Sequence, residues 1–268
     1  MNPRALLLHA HGTNRDHDVA HALELAGAQP EIVSLNDLRT QPASLAHYQL
    51  LVLPGGFSYA DALGAGKLMA LDLQAYFADE ARTFVESGKP VIGICNGFQA
   101  LVKSGLLPGE STAISQPLLA NRHQPTATLT FNSSGHFECR WVTLKPVSQK
   151  CVWTRGLREN IYCPVAHGEG NFLLNDPSQI AQLQSHDQIA LTYALPDGAP
   201  ACGQYPHNPN GSAADIAGIC NTQGNVLGLM PHPEDHVVAW QHPRRARGER
   251  VGLGLALFEN GVRYAGEL

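Results

Sequence analysis

The longest apolar run near the start of this 268-residue chain is Ala5-Leu6-Leu7-Leu8. That is too short for a signal peptide or a membrane span. No basic stripe is present and the formal net charge is −5, which argues against nucleic acid as a partner. The six cysteines, Cys95, Cys139, Cys151, Cys163, Cys202 and Cys220, include no Cys-x-x-Cys pair and do not read as a disulfide framework. Reduced thiols and a cytoplasmic address are expected. No internal repeat, low-complexity segment or linker divides the chain, so residues 1–268 read as one domain.

What is there is an ordinary globular composition, 44% hydrophobic, in a chain long enough to bury a large core. The first hundred residues alternate between strand and helix patterns. Strands are predicted over 4–9, 31–35, 50–53 and the β-branched run from Val91, and helices over 16–26 and 73–87. The second helix carries the stripe Leu73, Phe77, Ala81, Phe84 and Val85 and stops at Gly88. Beyond Pro108 the helical period fades and short β-like runs appear at 126–131, 137–144, 161–165 and 188–193. A strand over 226–230 and a helix over 252–262 follow. The expected fold is α/β, a mostly parallel sheet flanked by helices with an antiparallel elaboration.

The most informative stretch is Val91-Ile92-Gly93-Ile94-Cys95-Asn96-Gly97-Phe98-Gln99. A buried-strand pattern ends in Gly-x-Cys-x-Gly and a helical pattern begins at once, which is the layout of a nucleophile elbow. Glycines on both sides remove Cβ atoms that would collide in so tight a turn. A thiol at a helix N-terminus also feels the positive end of the helix dipole. Taken alone, a buried structural cysteine reads nearly as well.

A base is offered far downstream by Gly228-Leu229-Met230-Pro231-His232-Pro233-Glu234. The two prolines stiffen the backbone around His232. Glu234, two residues on, shares a face with it in an extended segment and can orient the imidazole. Without Cys95 this would read as a surface turn; with it, Cys95, His232 and Glu234 form a candidate triad. In Leu53-Pro54-Gly55-Gly56-Phe57-Ser58-Tyr59 another strand ends in glycines. The Gly56 region and the amide of Asn96 are candidates for an oxyanion hole, although Gly-Gly also suits a simple turn. The segment Pro164-Val165-Ala166-His167-Gly168-Glu169-Gly170-Asn171-Phe172 is rich in polar groups and glycine and reads either as a zwitterion-binding edge or as a hairpin.

Two motifs do not survive inspection. Gly64-Ala65-Gly66-Lys67 suggests a phosphate loop, but Asp61 replaces its first glycine and Leu68 its Ser or Thr. His9, His11, Asp16, His17 and His21 lack an established ligand spacing, so no metal site is expected.

These segments together resemble the class I glutamine amidotransferases, whose signature is a Gly-x-Cys-x-Gly elbow with a distant His-Pro-Glu. More narrowly, the chain is similar to the branch formed by the glutaminase subunits of phosphoribosylformylglycinamidine synthases. The narrower likeness rests on residues 54–61, 93–99, 164–172, 210–219 and 224–234, nearly the whole span of the chain. The resemblance implies that Cys95 attacks the glutamine carboxamide, that His232 oriented by Glu234 shuttles the proton, and that Gly56 and Asn96 form the oxyanion hole. It implies that Gln99, His167, Gly168 and Glu169 line the glutamine pocket. It also implies that ammonia passes to a synthetase subunit holding ATP, magnesium and formylglycinamide ribonucleotide. A small accessory subunit belongs to some such assemblies, and no cofactor is implied on this chain.

The chain departs from the branch in three places. His11-Gly12-Thr13-Asn14-Arg15 stands where Pro-Gly-Ser/Thr-Asn-Cys is usual, Gly64 replaces an arginine, and the middle region is longer than in compact members. All lie outside the triad and bear on docking and regulation. Two rival readings are a γ-glutamyl hydrolase-like amidase, against which the Gly211-Ser212-Ala213-Ala214-Asp215-Ile216 match weighs, and a non-catalytic thiol sensor or scaffold, which would need no His232–Glu234 pair.

Overall fold

The computed structural model describes residues 2–109 and 126–268, so part of the lengthened middle region lies outside the described residues. In the first part the order is β1 (Arg4–His9), α1 (Asp16–Leu25), β2 (Gln29–Ser34), α2 (Leu35–Thr40), β3 (Leu50–Leu53), α3 (Lys67–Tyr76), α4 (Ala78–Glu86), β4 (Val91–Ile94) and α5 (Asn96–Lys103). The second part holds β5 (Ala127–Thr130), β6 (Glu138–Pro146), β7 (Ile161–His167), β8 (Asn171–Leu174), α6 (Gln179–Ser185), β9 (Ile189–Ala194), β10 (Ile216–Cys220), β11 (Val226–Leu229) and α7 (Leu255–Glu267).

Nine strands form one sheet in the order β2-β1-β3-β4-β11-β10-β9-β6-β7. From β2 to β11 every pairing is parallel; from β11 to β7 every pairing is antiparallel. The expected elaboration is therefore continuous with the parallel half. Strands β3, β4 and β11 are buried along their whole length, as strands covered on both faces must be. A separate two-stranded ribbon, β5 with β8, lies outside the main sheet.

The expected helix over 73–87 is two helices. Phe77 joins α3 to α4 with φ −134° and ψ 15°, outside helical geometry. Leu73, Phe77, Ala81 and Phe84 are nonetheless all buried, so the apolar stripe is real and only its continuity is broken. The last helix begins at Leu255 and ends at Glu267, later than the sequence suggests, because Gly252 is tied to β7 through a hydrogen bond from the Tyr162 N–H.

Helix α5 is the central packing element. Its residues from Asn96 to Val102 are buried, and Phe98 stacks on Phe172 with ring centroids 6.2 Å apart. Burying side chains such as Phe98 and Leu101 contributes about 1.5–3 kcal/mol each. The helix approaches the sheet closely enough that a Cβ on Gly97 would lie 1.9 Å from the Leu53 carbonyl oxygen, and one on Gly228 would lie 2.0 Å from Phe98. The rejected phosphate loop has the same explanation. Gly66 sits at φ 70°, and a Cβ there would meet Ala100 N at 2.8 Å, so its glycine serves contact with α5.

This contact generates a prediction. Gly97→Ala must push α5 away from β3, and overpacking of this kind destabilises by about 1–3 kcal/mol or more. Chemical denaturation should show that loss, together with slower alkylation of Cys95 by a glutamine-mimicking electrophile. Wild-type stability in Gly97→Ala would refute the close-approach reading of the elbow.

Candidate active site

Cys95 sits at the apex between β4 and α5 with φ 50° and ψ −104°, a conformation that costs a non-glycine residue about 1–3 kcal/mol. Its N–H donates to the Leu229 carbonyl at 2.8 Å, extending the β4–β11 ladder by one bond. Its sulfur lies 3.7 Å from the Ala166 carbonyl, and the residue is only 5% exposed.

The register of β4 against β11 pairs Ile94 with Leu229. Cys95 follows the first and Met230-Pro231-His232 the second, so both leave the sheet at the same end. The His232 N–H donates to the Pro164 carbonyl at 2.8 Å, which ties its loop to β7. Its Nδ1 lies 2.7 Å from Glu234 Oε1. Both side chains are almost wholly buried, and His232 Nε2 has no hydrogen-bond partner within the site. Burial works to lower the imidazole pKa. It is outweighed by the charge of Glu234, the nearby sulfur of Cys95 and the hydrogen bond to Glu234, which hold the pKa well above its ordinary value. The structure thus brings together the three residues of the predicted triad.

The glycine loop lies beside them. A Cβ on Gly55 would sit 2.8 Å from His232 Cε1, so the imidazole rests against bare backbone. Gly56 adopts φ 134° and is stitched into the first loop of the chain, where the Phe57 N–H donates to the Gly12 carbonyl at 2.9 Å. Among the described residues no acceptor engages the N–H of Gly56 or of Asn96. The Asn96 side chain fixes the turn that follows: its Oδ1 accepts from the Ser58 N–H at 3.2 Å, and its Nδ2 donates to Asp61 at 2.9 Å. Tyr59, Ala60 and Asp61 are all left-handed, at φ 56°, 53° and 53°.

Gln99 and the 167–169 segment meet at Glu169. Gln99 Nε2 donates to the Glu169 carbonyl at 2.7 Å, and its Oε1 accepts from Asn96 at 3.1 Å. The Glu169 carboxylate accepts from the Ala65 N–H at 3.3 Å and lies 3.6 Å from Lys103 Nζ. Burial, with the charge of Glu169, raises the Asp61 pKa.

His167 is more tightly specified than its sequence context suggests. Asn132 Nδ2 donates to the His136 and His167 carbonyls, each at 2.8 Å, and its Oδ1 accepts from the Gly170 N–H at 3.0 Å. That amide cannot be reversed, so the group facing His167 Nδ1 at 3.0 Å is an acceptor and Nδ1 carries the proton. Burial, aided by the charge of His232, lowers the His167 pKa to about 3. His167 is therefore neutral and too weak a base to compete with His232. Asn132 carries no signal in the sequence beyond the turn of Asn-Ser-Ser-Gly, because its contacts to His167 and Gly170 are long-range.

Two departures from the family pattern acquire a place. Arg15 spans from α1 to the turn after His232, with NH1 2.9 Å from Asp18 and 3.4 Å from Asp235, and its stem lies beside Gly55. At Gly64 a Cβ would be 4.0 Å from both Glu169 Oε2 and Lys103 Nζ, so Lys103 is the cation beside Glu169. His9 Nδ1 lies 2.7 Å from Asp16, and no group of three potential metal ligands is assembled among the described residues.

A strand–elbow–helix bearing a buried Cys–His–Glu set defines a glutamine amidotransferase class of fold and site. The sequence model of the CobB/CobQ-like glutamine amidotransferase domain matches residues 2–265, and the chain belongs to that family. It is 56% identical over 271 residues to the phosphoribosylformylglycinamidine synthase subunit PurQ of Treponema denticola, covering 98% of this chain and 99% of that protein. It is 44% identical over 266 residues to the corresponding subunit of Dehalococcoides mccartyi, covering 98% and 97%. Among solved structures it is similar to a chain of PurLQS from Thermotoga maritima, with TM-score 0.72, 33% identity and coverage of 98% and 99%. A glutamine amidotransferase from the same organism shares the fold, with TM-score 0.55 at 17% identity.

The buried ion pair carries a pH signature. A histidine whose folded pKa lies above its unfolded value of about 6.5 contributes stability that is fully present below that pH. The contribution is lost as pH rises through the folded pKa. Glu234→Gln should move the His232 titration, followed by imidazole NMR, towards lower pH and flatten the alkaline loss of stability. An unmoved titration would mean that Glu234 does not set the charge state of His232.

Proposed function

We propose that this chain is the glutamine-hydrolysing subunit of a phosphoribosylformylglycinamidine synthase, working in purine biosynthesis with a synthetase subunit. The observation that carries the reading is the assembly of Cys95, His232 and Glu234 at one end of the β4–β11 pair. It does so in a chain that matches PurQ proteins along almost their whole length.

In this reading the Cys95 sulfur attacks the side-chain carbonyl of L-glutamine with its proton already held on His232 Nε2. That proton passes to the departing nitrogen, so ammonia leaves and a glutamyl thioester remains. His232 then takes a proton from water as the hydroxide adds to the thioester, and glutamate departs with the thiol restored. Glu234 holds the Nδ1–H and stabilises the imidazolium at each half-step. The N–H groups of Gly56 and Asn96 face the developing oxyanion, which is where fixed donors contribute most. Gln99, His167, Gly168 and Glu169 form the wall that holds the amino-acid end of glutamine.

ATP and magnesium belong on the synthetase partner, which amidates formylglycinamide ribonucleotide to formylglycinamidine ribonucleotide with the ammonia received. A small accessory subunit fits the same assembly. No helix among the described residues is long and apolar enough to cross a membrane, and a biosynthetic role of this kind assigns the chain to the cytoplasm. A thiol-sensor role is disfavoured by burial, since sensor thiols are accessible to their oxidant and Cys95 is 5% exposed.

Two measurements test the proposal. A glutamine-mimicking electrophile should label Cys95 alone among the cysteines, and His232→Ala should slow thioester formation by about 10²–10⁴-fold. In the assembled complex, Cys95→Ser should abolish glutamine-driven synthesis while added ammonium still supports it. Loss of ammonia-driven synthesis would place Cys95 in assembly. Equal glutaminase rates with and without the synthetase would indicate an autonomous amidase.

A further inference from the structure

A cavity of about 610 Å³ opens on the antiparallel half of the sheet, and none of Cys95, His232 or Glu234 lines it. Its volume is that of an ordinary small-molecule site. Part of its lining is aromatic. The rings of Trp141 and Tyr162 lie 5.1 Å apart, and His242 lies 5.3 Å from Tyr162 and 6.1 Å from Trp141. The wall is also cationic, with Arg140, Arg158 and Arg244 in the lining.

Two of these arginines are held in place. Arg140 donates to Glu138 at 2.7 Å and lies over the Tyr205 ring at 4.7 Å; Arg244 reaches Glu249 at 3.2 Å and lies 5.9 Å from the Tyr162 centroid. Arg158, Asn160 and His207 also line the cavity, and their side chains make no hydrogen bond or ion pair among the described residues. Arg158 and Asn160 therefore bring donors without a protein acceptor to this space, beside a cluster of tilted aromatic rings.

The balance of charge narrows the ligand. Glu159 and Glu249 line the same cavity, so against three arginines the formal excess is small. A bare polyanion would face those carboxylates. A molecule with one phosphate and an uncharged planar ring would satisfy both kinds of group, the guanidinium forks taking the phosphate and the rings taking the base. We propose that this cavity is a mononucleotide-binding site, separate from the glutaminase centre.

The test uses the full chain and isothermal titration with AMP, adenosine and ribose 5-phosphate. AMP should bind saturably with one site per chain, and adenosine and ribose 5-phosphate should each bind at least about tenfold more weakly. Arg158→Ala and Arg244→Ala should each weaken AMP binding by about tenfold or more while glutamine hydrolysis in the complex is unchanged. Cys95→Ser should bind AMP as the wild type does, so the site stands or falls independently of the glutaminase assignment. Absence of AMP binding, or wild-type affinity in both arginine variants, overturns the proposal. Equal affinity for ribose 5-phosphate overturns the nucleotide assignment by showing that the rings recognise nothing. Release of the synthetase subunit by these variants with AMP affinity intact would make the face a protein contact instead.

Discussion

The pairing of Ile94 with Leu229 is the constraint on which the site depends. It joins two stretches of chain more than a hundred residues apart, and it fixes both at the residue from which each leaves the sheet. The hydrogen bond from the Cys95 N–H to the Leu229 carbonyl carries that register past the strand end and into the elbow. A slip of one residue would turn every side chain of β11 to the opposite face and carry His232 away with it. Buried apolar residues on both faces forbid the slip, so the core is what aligns the sulfur with the imidazole.

Much of this was legible because it is written locally. The elbow glycines, the proline-flanked histidine and the carboxylate two residues on each announce their geometry within a few positions. The alternation of strand and helix in the first hundred residues is equally local. What escaped has no local signal. Strand β10 lies in Ile216-Ala217-Gly218-Ile219-Cys220, where a glycine-containing apolar run gives no period of two, and it exists because β9 and β11 flank it. The break at Phe77 does not disturb the apolar stripe that made one helix of two. Asn132 reads as a turn residue until its amide is seen bridging three backbone groups of the 136–170 region.

The electrostatics of the cleft divide the two histidines by environment. Both are buried, and burial alone would keep both neutral. His232 has Glu234 at 2.7 Å and is driven the other way, while His167 has only the uncharged Asn132 and feels the charge of His232 as a further penalty. The two imidazole pKa values are thereby driven apart, and His167 presents an unprotonated Nε2 whose orientation is set through Asn132 by backbone. Arg15 adds a counter-charge to the same turn. It pairs with Asp235, whose pKa burial and the adjacent Glu234 raise to about 6, and so limits the accumulation of negative charge around the triad.

The left-handed turn at Tyr59, Ala60 and Asp61 is where hydrogen bonds tie the glycine loop to Gln99 and Glu169. Left-handed geometry costs L-residues about 1–2 kcal/mol apiece, so three in succession need compensation from outside the turn. Asn96 supplies it on one side by accepting from Ser58 and donating to Asp61. The Tyr59 hydroxyl supplies it on the other by donating to Asp72 on α3. Asn96 also directly follows Cys95 and is a partner of Gln99, which in turn holds the Glu169 carbonyl. Relaxing the turn would therefore shift Gly56, the first amide of α5 and the pocket wall together. The strain is local, but the hydrogen bonds that offset it run through every part of the site, and that is how a short loop can set the geometry of the whole cleft.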